Sequence, residues 1–205
     1  LLVVLGIFIG VFGFTAITFT QTTLIDAFTY SLANNASPVH IVFRIDKLEP
    51  QVLPSLGVVP NVKAVQEETQ FYSAWQRSTS PEPIPLFLIS YPDLAHVPVT
   101  PFQLTSGRLP VVGEVVMEYG DLGLQAFNLG DTVTVPTTHG NAQLRIVGLA
   151  RTPGLNPVQT GVARAYMSDA GLQAVIGTAP LSTTNKQALT YQRFIEVQVR
   201  DTSQT

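Results

Sequence analysis

The first charged residue of this 205-residue chain is Asp26, and the stretch ahead of it opens LLVVLGIFIGVFGFTAITFT, apolar or weakly polar on every face. A bilayer's hydrocarbon core is about 30 Å thick, and about 20 helical residues rising about 1.5 Å each cross it. Leu1 to Phe19 is therefore read as a transmembrane helix, with Leu1, Leu5, Gly6, Gly10, Phe14 and Phe19 along the span. A secretory signal peptide needs a basic start, a shorter apolar core and a small-residue cleavage site, and none of these is present. A wholly buried helix of a water-soluble domain is the competing reading, but helices apolar all round are unusual in domains of this size. The chain does not open with Met, so it is expected to start inside a longer protein. Gly6 and Gly10 form a G-x-x-x-G, which suits close helix contact and equally suits the plain tolerance of glycine in membrane helices.

Beyond the apolar run, Leu24, Phe28 and Leu32 recur at helical spacing among Gln21, Thr22, Thr23, Asp26 and Ser31, the pattern of an amphipathic stalk leaving the membrane. The stalk is expected to end at Asn34-Asn35-Ala36-Ser37-Pro38, where Asn tolerates a left-handed cap and Pro38 turns Ser37 away from helix. There is no Lys or Arg from Leu1 to Phe43. Cytoplasmic flanks collect those residues, so everything after about Asn34 is expected outside the cytoplasm, at the cell membrane. This divides the chain into a span and stalk, 1–36, and an extracytoplasmic domain, 37–205. The latter is expected to hold up to two subdomains, about 37–90 with the C-terminal strand and about 106–165.

The charge pattern narrows the partners. Net charge is −3 and only 12% of residues are charged, against about 25% in an average globular chain. Scattered Lys and Arg make no stripe that could track phosphates, so nucleic acid is excluded as a partner. The absence of cysteine removes disulfides, thiol chemistry and Cys-based zinc sites from these residues. The 15 Pro and 15 Gly lie between short apolar runs, which predicts many short elements joined by turns.

Read along the chain, His40 to Ile45 alternates as a strand, and Asp46 is placed to cap a short helix over Leu48 to Leu56. A strand from Asn61 to Glu67 then completes a strand, helix, strand unit. Phe71 to Gln76 and Ile84 to Ser90 read as further strands around a Pro-rich turn, Ser80 to Pro85, and Tyr91 to Arg108 reads as irregular. Glu114 to Glu118 is a strand, Leu122 to Phe127 a short helix, and Thr132 to Val135 forms a hairpin with Gln143 to Leu149. Arg164 to Met167 is a strand, Ser168 caps a helix to Ile176 that Gly177 stops, and Phe194 to Arg200 alternates with Ile195, Val197 and Val199 on one face. The predicted class is α+β, with short strands and few helices.

That order of parts resembles the first transmembrane helix and extracytoplasmic domain of the MacB/FtsX-type ABC transporter permeases. The resemblance rests on the span pattern from Leu2 to Val11, on Gly107-Arg108-Leu-Pro110, Gly113-Glu-Val-Val116 and Leu129-Gly-Asp131-Thr-Val-Thr-Val135, and on Ile146-Val-Gly-Leu149, Ala165-Tyr-Met-Ser168 and Ile195-Glu-Val-Gln-Val199. It covers nearly the whole chain and is weakest from Ser78 to Thr105, where a substrate-specific surface could differ. It implies a MacB-like periplasmic core domain in a non-catalytic permease component working with an ABC-type ATPase subunit. Cytoplasmic ATP hydrolysis would move the domain for export, lipoprotein extraction or activation of a cell-wall enzyme. A homodimer or paired permease and an extracytoplasmic partner protein are also implied. The alternative is a membrane-anchored binding or sensor domain with no transport role.

Candidate chemistry is sparse. His40, His96 and His139 lack a ligand partner at metal-binding spacing, so no metal site is expected. Glu114, Glu118 and Asp121 are close in sequence, but a strand followed by a turn sends them apart, and they read as solvated edge residues. There is no G-x-S-x-G elbow and no G-x-x-x-x-G-K-[ST] loop, so neither a nucleophile nor a cofactor site is expected here. Trp75, after Phe71 and Tyr72 in one strand, reads first as core and second as a binding patch.

Overall fold

Short alternating runs between prolines and glycines build nine strands in the computed structural model, which describes residues 38–77, 80–137, 140–155, 157–177 and 190–201. The expected span positions Leu1, Leu5, Gly6, Gly10, Phe14 and Phe19, and the stalk positions Leu24, Phe28 and Leu32, lie outside the described residues. No helix among the described residues is long and apolar enough to cross a membrane.

The elements in chain order are β1 (Ile41–Ile45), α1 (Val52–Gly57), β2 (Val62–Arg77), β3 (Ser80–Tyr91), β4 (Gln103–Gly107) and β5 (Glu114–Glu118). A 3-10 turn (Tyr119–Gly123) leads to β6 (Thr132–Thr137), β7 (Gly140–Arg151), α2 (Pro157–Thr160), β8 (Ala163–Ser168), α3 (Asp169–Ile176) and β9 (Thr190–Val199). The strand order is β1-β9-β2-β3-β8-β5-β7-β4, with β6 bonded to both β7 and β2. The β3–β8 and β5–β7 pairs are parallel and the others antiparallel.

Because β6 joins β7 to β2 through the pair Gln76–Thr134, the ladder β2-β3-β8-β5-β7-β6 closes on itself. One face of each member points to the same place, as closure requires. Phe71 and Trp75 from β2, Leu86 and Leu88 from β3, and Ala163, Ala165 and Met167 from β8 meet there. Val115 and Met117, Val133 and Val135, and Leu144 and Ile146 arrive from β5, β6 and β7. Trp75 is fully buried, edge-on to Phe127 with ring centroids 5.8 Å apart, so it is a core residue and not a binding patch. Leu172 and Val175 of α3 join the same cluster. The α3 boundaries follow from local chemistry: Ser168 Oγ accepts the Gly171 N–H at 3.1 Å, and Gly177 takes φ +70°.

Beside this closed circuit, β1 and β2 flank β9, both antiparallel to it, so the strand, helix, strand unit is split by the C-terminal strand. Val52, Leu53 and Leu56 of α1 cover Ile195, Val197 and Val199, the face read from alternation.

Several expectations need correction. Asp46 does not cap α1, which starts at Val52 after Gln51 with no side-chain cap. A start at Leu48 would put Pro54 in the helix interior, whereas a start at Val52 leaves it in the first turn, where its missing donor costs nothing. Asn61–Glu67 and Phe71–Gln76 are one 16-residue strand, β2, because β9 pairs as far as Tyr72 and β3 pairs from Thr69 onward. Ser80 to Pro85 is no turn but the first half of β3, paired with β2 from Arg77–Ser80 to Ala74–Pro85. Prolines at alternate positions 81, 83 and 85 place their missing donors on one strand edge, and β8 begins pairing only at Leu86. Within the stretch read as irregular, Gln103–Gly107 is strand β4 on the edge of β7. The helix expected at Leu122–Phe127 is replaced by the 3-10 turn one residue after β5.

Candidate functional site

The outer face of β3, β8 and β5 carries Ile89, Tyr91, Tyr166 and Val116, all buried although they point away from the closed core. The chain from 92 to 102 covers them. Phe102 lies on Tyr166 with centroids 4.6 Å apart and planes 13° apart, and Tyr91 also stacks with Phe102 at 6.4 Å and 28°. Such offset stacks each add about 0.5–1.5 kcal/mol beyond area burial. The covering segment forms an open depression of about 190 Å³, with Leu94, His96, Pro98 and Phe102 among its lining residues.

Each end of the stack holds a buried carboxylate. At one end, Glu118 Oε2 accepts the Tyr166 hydroxyl at 3.0 Å and the Thr152 hydroxyl at 2.8 Å, and the Thr152 N–H spans both carboxylate oxygens at 3.1 and 3.2 Å. Burial raises Glu118 above the usual carboxylate range, and these bonds oppose the shift. Nearby, the Arg164 N–H donates to both oxygens of Asp121 at 3.2 and 3.3 Å. Burial pushes Asp121 up to about 8 against that bond, and the Glu118 charge adds to the rise. Glu118 is 1% exposed and Asp121 0%. The reading of these acids as solvated edge residues is therefore wrong for both: the alternation of β5 points Glu118 outward, but Thr152 and Tyr166 close over it there. Glu114 alone stays near solvent, clamped by Arg108 through two 2.6 Å bonds.

At the other end lies Glu68, 5% exposed, accepting the Tyr91 hydroxyl at 2.8 Å and the Gln70 amide. Across the strands, Glu196 Oε2 accepts the Gln66 amide at 2.7 Å and the Thr100 hydroxyl at 3.3 Å. Gln66 holds the covering segment directly: its carbonyl accepts the N–H groups of Val99 at 2.9 Å and Thr100 at 3.2 Å. Desolvation pushes Glu196 up to about 7, with the Glu68 charge adding to it. None of Gln66, Glu68, Tyr91, Thr100, Tyr166 and Glu196 stands out in the sequence. The available signal is Gln66-x-Glu68-x-Gln70, a polar run at alternate positions of a strand long enough to be central.

The resemblance motifs are turns and edges. Gly107 at φ +78° packs against Val147 and Gly148 ahead of the Arg108–Glu114 clamp. In Leu129-Gly130-Asp131, Asp131 Oδ2 accepts the Asn128 N–H at 3.0 Å and Arg77 at 2.8 Å, tying the turn to β2. Of the histidines, His40 Nδ1 accepts the Val199 N–H at 3.2 Å, His96 lines the depression, and His139 is outside the described residues. Among the described residues no three His, Asp or Glu side chains converge as metal ligands.

Fold and site together define a sheet-rich α+β domain with few helices, whose buried carboxylates are bonded by its own chain. The chain belongs to the MacB-like periplasmic core domain family, whose model matches residues 1–205, so it is an extracytoplasmic domain type of ABC transporter permeases. Similar solved structures include the periplasmic region of MacB from Actinobacillus actinomycetemcomitans, at 17% identity and TM-score 0.46, covering 77% of this chain and 67% of that one. Another is the extracellular domain of the noncanonic ABC-type transporter YknZ from Gram-positive bacteria, at 14% identity and TM-score 0.48, covering 80% of this chain and 84% of that one. No curated protein sequence matches.

Proposed function

We propose that this chain is the leading part of an ABC transporter permease, with residues 1–36 as membrane span and stalk and 37–205 as an extracytoplasmic domain. The match of the family model to the whole chain carries the reading. The domain is non-catalytic: an ABC-type ATPase subunit hydrolyses ATP in the cytoplasm, and the stalk conveys the resulting helix movement outward. A second permease copy completes the membrane unit, and an extracytoplasmic protein or substrate receives the motion in export, lipoprotein extraction or activation of a cell-wall enzyme. Within 37–205 we place two parts, about 37–90 with the C-terminal strand and about 106–165. The separate apolar cluster of β1, α1 and β9 supports this division.

A lever must be stiff, whereas a tether need not be. Thr23→Gly and Ala27→Gly each weaken a helix by about 1 kcal/mol, and Thr29→Pro adds about 3 kcal/mol. The combined variant of the full-length permease is expected to insert and to bind its ATPase, yet to lose transport or activation in cells. Wild-type function at equal membrane abundance would instead favour an anchored binding or sensor domain.

A further inference from the structure

Four oxygen groups run in a line beneath the 92–102 segment: the Glu196 carboxylate, Thr100 Oγ1, the Tyr91 hydroxyl and the Glu68 carboxylate. Their successive separations are 3.3, 3.3 and 2.8 Å. Three contacts need three protons, but the two hydroxyls supply only two. With Tyr91 donating to Glu68 and Thr100 donating to Glu196, the Thr100–Tyr91 contact has none. A proton on either end carboxylate resolves the line. Placed on Glu196, it is donated to Thr100 Oγ1, the Thr100 hydroxyl turns to Tyr91, and Tyr91 still donates to Glu68. Thr100 Oγ1 meanwhile keeps the Gln66 amide on its remaining lone pair.

We propose that Glu196 carries this completing proton and that the 92–102 segment is an acid-tightened latch, which loosens over the sheet as the proton is lost. The groups around Glu196 favour that state. Glu68 from β2 is buried and accepts the Tyr91 hydroxyl from β3. The Thr100 and Gln66 bonds and, from β8, the Arg164 charge favour the ionised form, with burial the largest single influence against it. Along β1, Val42 lies opposite Glu196, and Arg44, two residues on, is exposed. The segment itself brings Asp93 and His96, both exposed, and Tyr166 lies beyond the stacked Phe102. Thr100 is at once the middle of the proton line and, through its N–H on Gln66, an anchor of the segment. Losing the proton turns the Thr100 hydroxyl back to Glu196 and leaves the segment's Thr100–Tyr91 contact without one. With Glu196 held near 7 in place and at an ordinary 4.5 when released, opening becomes up to about tenfold more frequent per pH unit between those values.

Hydrogen–deuterium exchange of the full-length protein in detergent micelles, read by mass spectrometry on peptides covering 92–102 from pH 5 to 8, tests the latch. Corrected for the intrinsic pH dependence of exchange, protection of these amides is expected to fall as pH rises to about 7 and then level off. Glu196→Gln keeps an acceptor, cannot ionise and should flatten the profile, while His96→Gln should leave it as in the wild type. A flat wild-type profile, or the same slope in Glu196→Gln, overturns the proposal. A profile abolished by His96→Gln does so too. If Glu196→Gln does not fold, the infrared band of a protonated carboxylic acid in Asp121→Asn, which removes the other carboxyl held near neutral, decides: titration near pH 7 supports the latch, and its absence at pH 5 overturns it.

Discussion

Phe102 lies flat on Tyr166, and through this contact a chain segment without regular structure becomes part of the sheet's second core. Replacing Phe102 with Leu retains apolar bulk and removes the stack. The expected cost is about 0.5–1.5 kcal/mol, read as a lowered denaturant midpoint of the 37–205 fragment. An unchanged midpoint would mean that the stack is incidental to the segment's attachment.

That fragment is itself expected to fold in water, since its strands enclose a core of their own, and to bind no nucleotide. Calorimetry with ATP checks the second point, and a specific binding isotherm would contradict the non-catalytic reading.

Burial holds Glu67, Glu118, Asp121 and Glu196 above their ordinary values, with Asp121 near 8 and Glu196 near 7. A carboxyl with a raised folded-state value takes up a proton on folding, so its contribution is full below about 4.5 and is lost as pH climbs through the folded value. The fragment should therefore be more stable at pH 5 than at pH 8. Asp121→Asn should remove part of the decline in the upper portion of that window. Melting temperatures at unit pH steps provide the check, and a rise in stability from pH 5 to 8 would refute the sign.

Two glycines with similar φ should respond differently to alanine. Gly107 and Gly113 sit at φ +78° and +85°, but a Cβ at Gly107 would overlap Val147 O and lie 2.7 Å from Gly148 Cα, whereas at Gly113 it meets nothing. Gly113→Ala is expected to cost about 1–2 kcal/mol from the left-handed conformation alone. Gly107→Ala should cost roughly 3 kcal/mol or more, because two backbones must separate as well. Equal losses in denaturation would show that the close approach relaxes freely.

The chain has no cysteine, so a single introduced one reports topology without background. Asn141 is exposed on β7, and Asn141→Cys should react with an impermeant thiol reagent on intact or outer-membrane-permeabilised cells. Protection until the inner membrane is lysed would reverse the proposed orientation.

Local chemistry was enough to read some elements from the sequence. Ser168 and Gly177 bound α3 through bonds to residues three or four positions away, and the alternation of Ile195, Val197 and Val199 marks a face that α1 covers. The β6–β7 hairpin is legible for the same reason, since its partners are neighbours in the chain. What the sequence left open depends on distant partners. The unbroken run of β2 comes from the overlapping reach of β9 and β3, and the extended Pro-rich half of β3 is possible because β8 begins pairing with that edge only at Leu86. Glu68, Glu118 and Glu196 occupy strand positions whose alternation points away from the closed core, which in a lone strand means toward water. Only the tertiary structure brings Thr100 of the 92–102 segment into one hydrogen-bond line with Glu68 and Glu196, and closes Thr152 and Tyr166 over Glu118. A buried carboxylate is defined by what covers it, and here the cover comes from another part of the chain.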